Sequence, residues 1–185
     1  VIHRDLFTIE KLSYEDLLII RSVLLYIARS GIDGCSYSAI SRNAGITKYK
    51  AQLYIDLLQA AGILHVIMPS GANVLPEPKI LFIPTLRANL AGGLDDDRLT
   101  GALREEFFIH HITSAGIDIN YLKGLRGQKL PDYMIFHDNR KIIFEIGGAG
   151  KGAKQFKGLE NKEKYILTQP GSRQGLPLIL TGFLW

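Results

Sequence analysis

Residues 128–154 read QKLPDYMIFHDNRKIIFEIGGAGKGAK, and this stretch decides the fold of the second half of the chain. Asp132 opens an apolar run, residues 133–136, and a polar turn at 137–140 follows. A second apolar run, 141–146, carries Glu145 near its tip. Two such runs around Asp138-Asn139 predict a β-hairpin. In a hairpin Asp132 and Glu145 fall at the same end, since one begins the first strand and the other finishes the second. Two carboxylates that close repel unless a cation or a proton lies between them. An oxygen-loving divalent ion such as Mg²⁺ suits that position. A polar sheet end whose acids face water fits the same residues, and both readings stay open here.

Around the hairpin, the spacing predicts a helix from Thr100 or Asp97 to about Ser114, with Leu103, Phe107, His110 and His111 towards its core side. A strand over 117–122 comes next, then the hairpin, a helix over about 151–159 behind a glycine-rich turn, and a strand over 164–168. Residues 178–180 could form one more. Helix, three strands, helix and strand make a mixed α/β sheet covered by helices. On such a frame Glu105 or Glu106 could face the end of the sheet that holds Asp132 and Glu145. Three carboxylates around one metal would form a hydrolytic centre. Two solvated helix glutamates are the alternative.

Two glycine patterns lead elsewhere and fail. GGAGKG at 147–152 lacks the P-loop's first glycine, since Glu145 stands there, and its Ser or Thr, since Gly152 stands there. GAGKGA at 148–153 has the GxGxxA spacing, but no ribose-binding acid ends the next strand. No nucleotide site is therefore expected in this chain. The adjacent His110 and His111 point to different sides of a helix and make a poor metal pair.

The first half reads differently. Ser13 is a good N-cap with Glu15 and Asp16 behind it, and Leu17, Ile20, Leu24 and Ile27 recur at helical spacing. A short helix over 36–43 and a third capped by Thr47 follow, the latter with Tyr54, Ile55, Leu58 and Ala61 on one face. Two strand-like runs, 63–68 and 79–83, flank the Pro- and Gly-rich loop PSGANVLPEP. That order is a winged helix-turn-helix, and its recognition helix would offer Lys48, Tyr49 and Lys50 to DNA. Asp56 on the same helix and Glu77 in the wing temper its positive charge.

The chain has 185 residues, net charge +4 and one cysteine, Cys35. That size allows one large or two small domains. No apolar run is long enough for a membrane, and the lone cysteine suits a reducing, cytoplasmic setting. The chain opens at Val1, as a piece of a longer protein would. Its surplus of positive charge gathers at Lys123, Arg126 and Lys129 and at Lys151, Lys154 and Lys157, on either side of the hairpin. Such a surplus permits a DNA partner without requiring one.

Three short motifs, in order, carry a resemblance: GALREEFF at 101–108, Asp132 at a strand start, and FEIG at 144–147. The set resembles the C-terminal region of certain prokaryotic AAA-type ATPases, where the pattern reads roughly G-A-L-x-E-N-F, E-x-D-F and I-E-V-K. KYKAQLYIDLLQAAGILHVIMP at 48–69 is similar to the winged-helix segment that precedes that region. The resemblance runs from about Asp5 onward. It implies an α+β chain, with a winged helix-turn-helix over 1–85 and a PD-(D/E)XK nuclease-like, restriction-endonuclease-like domain over 86–185. It also implies that Glu105, Asp132 and Glu145 occupy the metal-binding positions for Mg²⁺ or Mn²⁺, and that an ATPase domain lies upstream in the same polypeptide. Two positions depart from the pattern. Gly147 replaces the lysine that would orient the attacking water, a loss of roughly 10²–10³ in rate, and Glu106 replaces an asparagine. Lys151 or Lys154 could reach the same spot from the next helix. Three functions follow: a nucleic-acid-binding or regulatory module with a degenerate nuclease-like domain, a metal-dependent DNA nuclease with a relocated lysine, or a protein-interaction module without nucleic acid.

Overall fold

The computed structural model describes residues 12–71, 77–91, 97–124, 130–148, 153–160, 163–169 and 175–179. They form an α+β chain of two compact units. One unit takes residues up to Val66 and Glu77–Leu99, and the other takes Ile67–Pro76 and Thr100 onward. The boundary expected near residue 85 therefore falls inside the first unit.

In the first unit, α1 is Tyr14–Arg29, α2 Tyr37–Ala44 and α3 Lys48–Ala60. Each starts where a hydroxyl can take an orphan amide. Ser13 accepts from the Asp16 amide at 3.1 Å, and the Asp16 carboxylate accepts from the Ser13 amide at 3.0 Å, closing a capping box. Ser36 and Thr47 cap α2 and α3 in the same way. Gly45 ends α2 with φ +65°, a left-handed turn suited to glycine. Leu17, Ile20, Leu24 and Ile27 of α1 are buried against Ile40, Tyr54, Ile55 and Leu58, whereas Ala61 is exposed.

The two-stranded sheet of β1 (Leu64–Ile67) and β2 (Lys79–Phe82) follows, and then α4 (Pro84–Ala91). No helix is expected from the sequence between the strand-like run at 79–83 and the helix that starts at Asp97 or Thr100. Proline is at home on the first turn of a helix, where its missing N–H is not needed. Arg87, fully buried, fastens α4 to the end of α1: its Nη1 donates to the carbonyls of Ile27, Ala28 and Ser30 at 2.8, 3.0 and 2.8 Å.

The second unit opens with α5 (Asp97–Ser114, its body from Thr100 on) and a five-stranded sheet in the order β3-β4-β5-β6-β7. These strands are Ile119–Tyr121, Tyr133–His137, Arg140–Gly147, Glu163–Thr168 and Leu176–Pro177. β3, β4 and β5 form an antiparallel meander, and β6 and β7 each add in parallel. The hairpin between β4 and β5 turns at Asp138 and Asn139, with φ 49° and 61°. Two left-handed residues in a two-residue loop match the twist of paired strands. Residues 68–70 run beside β3, where the Ser70 amide donates to the Tyr121 carbonyl at 2.8 Å and the Tyr121 amide to that of Met68 at 3.1 Å.

Two expectations change. The helix expected over 151–159 is a short 3-10 turn, Ala153–Phe156, within the described residues. The core-facing side of α5 is one position off: Ala102, Glu106, Phe108, Ile109 and Ile112 are buried, while Leu103, Phe107, His110 and His111 are only half-buried. Glu106, wholly buried, sits in the middle of the stripe, and a charged residue there misleads a reading based on hydropathy.

Candidate functional site

The expected acidic site lies where α5 meets the β4–β5 hairpin. Side chains alternate across a strand. Tyr133, paired opposite Phe144, therefore faces α5 with it, and Phe108 packs against both rings, with centroids 5.9 and 5.0 Å away. Glu105, one turn before Phe108 on α5, accepts a hydrogen bond from Tyr133 Oη at 2.6 Å. Glu105 is thereby held on the helix face of the sheet.

Asp132 stands just before β4 and takes up the ladder where backbone pairing stops. Its Oδ2 accepts from the Ile146 amide at 2.7 Å. Glu145 is wholly buried on β5, with Gly147, also buried, two residues on. Alternation puts both on the face opposite Phe144 and Ile146. Extending the β4–β5 register one step beyond Tyr133–Phe144 sets Asp132 across from Glu145, as the hairpin reading expects. Glu105 comes to this end bonded to a tyrosine of the helix face. Among the described residues no group of three or more His, Cys, Asp or Glu side chains is spaced to hold a metal ion, and Glu105, Asp132 and Glu145 as placed here form no such group.

Of the lysines expected to replace the missing one, Lys154 is exposed on the 3-10 turn, and Lys151 lies outside the described residues. Among the basic residues near the hairpin, Lys123 is exposed just past β3, and Arg126 and Lys129 lie outside the described residues. Partial burial, and then the neighbouring His111, hold His110 below the ordinary histidine range.

The expected recognition helix, α3, is electrostatically satisfied. Lys48 bonds Glu77, whose carboxylate also accepts from Ser38 Oγ at 2.5 Å. Burial works against the ionised Glu77, but the bonds from Lys48 and Ser38 hold its carboxyl below the usual range. Lys50 Nζ lies 2.9 Å from Asp16 Oδ1, and Tyr54 Oη donates to the same carboxylate. Hydrogen bonds from Tyr54, then Lys50, then Ser13 hold the Asp16 carboxyl well below the usual carboxylate range. The bonds of Lys50 to Asp16 and Tyr54 hold its ammonium above the lysine range. Tyr49 is 78 % exposed on the same turn. α3 therefore presents an aromatic ring between two lysines whose charges already face carboxylates.

A cleft of about 300 Å³ lies beside α5. Leu103 and Phe107 wall it from the helix, and Leu178 and Ile179 from beyond β7. Arg104 and Gln169 form its polar end, with Arg104 Nη2 donating to Gln169 Oε1 at 2.5 Å. The guanidinium lies against Gly148, where an added Cβ would sit 3.4 Å from Nη1. Sequence reading missed Arg104 and Tyr133. Arg104 occupies the variable position of the GALREEFF motif, so no pattern marked it.

No family model matches the chain, and neither a curated protein nor a solved structure matches it.

Proposed function

We propose that this chain is a non-catalytic nucleic-acid-binding or regulatory module of a larger AAA-type ATPase, made of a winged helix-turn-helix and a degenerate PD-(D/E)XK nuclease-like domain. The element order supports that fold reading: three capped helices and a two-stranded sheet, then two helices, an antiparallel three-strand meander and a parallel fourth strand. The observation that carries the functional reading is the end of β5. Glu145 is wholly buried and Gly147, where the pattern has a lysine, brings no side chain. A transition state carrying developing negative charge meets no cation from position 147, since the cations of β5, Arg140 and Lys141, stand at its other end. The other two acids serve internal bonds, Glu105 to Tyr133 and Asp132 to the Ile146 amide.

Cleavage of supercoiled and single-stranded DNA with Mg²⁺ or Mn²⁺ tests the absence of turnover, and the chain is expected to leave both intact. A parent chain that cleaves, and loses cleavage with Lys151→Ala or Lys154→Ala, overturns this reading in favour of a nuclease with a relocated lysine. Gly147→Lys restores cleavage only if the remaining acids can still gather around an ion. The nucleic-acid arm is read by fluorescence anisotropy against salt. Surface ion pairs are worth about 0–1 kcal/mol, so phosphates can compete for Lys48 and Lys50. Binding should then weaken steeply with salt, and Lys48→Ala with Lys50→Ala should reduce the logarithmic slope by about one unit per lost contact. No binding at low salt leaves the regulatory role alone.

A further inference from the structure

We propose that the cleft beside α5 is a binding site for a small carboxylate with an apolar body, held by the Arg104 guanidinium. This inference does not rest on the nuclease-like reading, because Arg104, Gln169 and the apolar lining carry it and none of the three acids does.

Three observations carry it. The first is the state of Arg104. Among the described residues its partner is the neutral Gln169 amide, and no carboxylate lies within ion-pair distance of it. Lys48, Lys50, Lys79 and Arg140 each face an Asp or Glu, and Arg87 and Lys164 spend N–H groups on backbone carbonyls. A half-buried guanidinium left with one amide keeps several N–H groups and a full positive charge for a ligand. The second is its aim. Gln169 Oε1 fixes one end of the planar fork, and Gly148, lacking a side chain, lets the other end lie close against the chain. A fork held in one orientation recognises a planar carboxylate with two parallel hydrogen bonds.

The third is the wall. Leu103, Phe107, Leu178 and Ile179 enclose the rest of the cleft, and they offer no second charge. A phosphate, which carries more than one charge, would be poorly served by a single cation in such surroundings. A monocarboxylate is matched by it. The volume, about 300 Å³, is at the lower end for ligand sites, roughly 300–1,000 Å³. A cavity of roughly 150 Å³ admits benzene. A fused pair of rings, or a branched chain of similar bulk, fits the space here.

The test titrates 2-naphthoate into the full chain by isothermal calorimetry, beside the neutral 2-naphthalenemethanol of the same shape. The acid should bind below about 1 mM, and the alcohol about 10-fold more weakly or worse, the scale of a charge-assisted hydrogen-bonded pair. Arg104→Met should remove the preference for the acid, with Arg104→Lys in between. Ile179→Trp, at an exposed position on the rim, should block both ligands. The proposal is overturned if the parent does not take up the acid by about 1 mM, if acid and alcohol bind alike, or if Arg104→Met binds the acid as the parent does. Should Arg104→Met fail to fold, the comparison of acid with alcohol on the parent, together with Ile179→Trp, still decides it.

Discussion

Replacing Arg87 by methionine should destabilise the first unit severely. The side chain is 0 % exposed, and its Nη1 supplies the carbonyls of Ile27, Ala28 and Ser30 at the C-terminal end of α1, where the Ser30 amide reaches back only to Ile27, at 3.3 Å, and to Tyr26. Its guanidinium also lies over the Phe82 ring, 5.6 Å from the centroid. Two N–H bonds are shared among three oxygens, so the loss amounts to about two charge-assisted bonds of roughly 1.5–3 kcal/mol each. Relief of the guanidinium's own desolvation offsets part of that. A net loss of about 3 kcal/mol remains, a large share of the roughly 5–15 kcal/mol that holds a domain together. Methionine fills much of the same volume, so the effect isolates the polar contacts from the cavity that alanine would leave. Urea unfolding followed at 222 nm, where the helices of the first unit dominate, measures it. The melting temperature should fall by more than about 10 °C, given about 4–8 °C per kcal/mol for a domain of this size. Arg87→Lys should keep part of the stability, having charge but a single nitrogen. A methionine variant within about 1 kcal/mol of the parent would refute the view that α4 is fastened through this side chain.

Two further outcomes follow from named contacts. Because Tyr54, Lys50 and Ser13 depress the Asp16 carboxyl, the ionised form is bound better folded than unfolded. Its contribution is complete above the unfolded value of about 3.9 and is lost as pH falls towards the lower folded value. Asp16→Asn should therefore cost about 1 kcal/mol at neutral pH and flatten the acid limb of the stability curve. An acid limb identical to the parent's would count against the network. Gly175 has φ +88°, and an added Cβ would lie 2.6 Å from the Ile166 carbonyl oxygen, which is fixed in β6. Gly175→Ala should therefore detach β7 and speed amide exchange at Leu176 and Leu178. Unchanged exchange there would show that the strand tolerates the side chain.

Local chemistry was what the sequence showed well. Ser13, Ser36 and Thr47 announce helix starts, and Asp138-Asn139 announces a hairpin, because each acts through its own few neighbours. Errors came where the deciding contact is distant in sequence. The helix that Pro84 opens is fastened by Arg87, whose partner carbonyls lie nearly sixty residues back in α1. The buried face of α5 was misplaced because Glu106 is interior. For the candidate sites the limit is similar. Lys48 and Lys50 look like free cations until Glu77 and Asp16 arrive from other elements, and the partner of Glu105 is a tyrosine 28 residues on.

The succession of antiparallel then parallel strands has a consequence for the order of assembly. β3, β4 and β5 pair with near neighbours, the tightest through a two-residue turn, and such contacts close quickly. β6 and β7 can pair in parallel only after a longer loop has closed, so they join a sheet already begun. β7 brings only two residues to the sheet, and Leu178 and Ile179 follow directly behind it. One wall of the cleft is thus the last part of the sheet to arrive and the first to leave during partial opening. A carboxylate seated in the cleft, as proposed, would act as a clasp on the end of the folding sequence and slow the unravelling of the second unit from that edge.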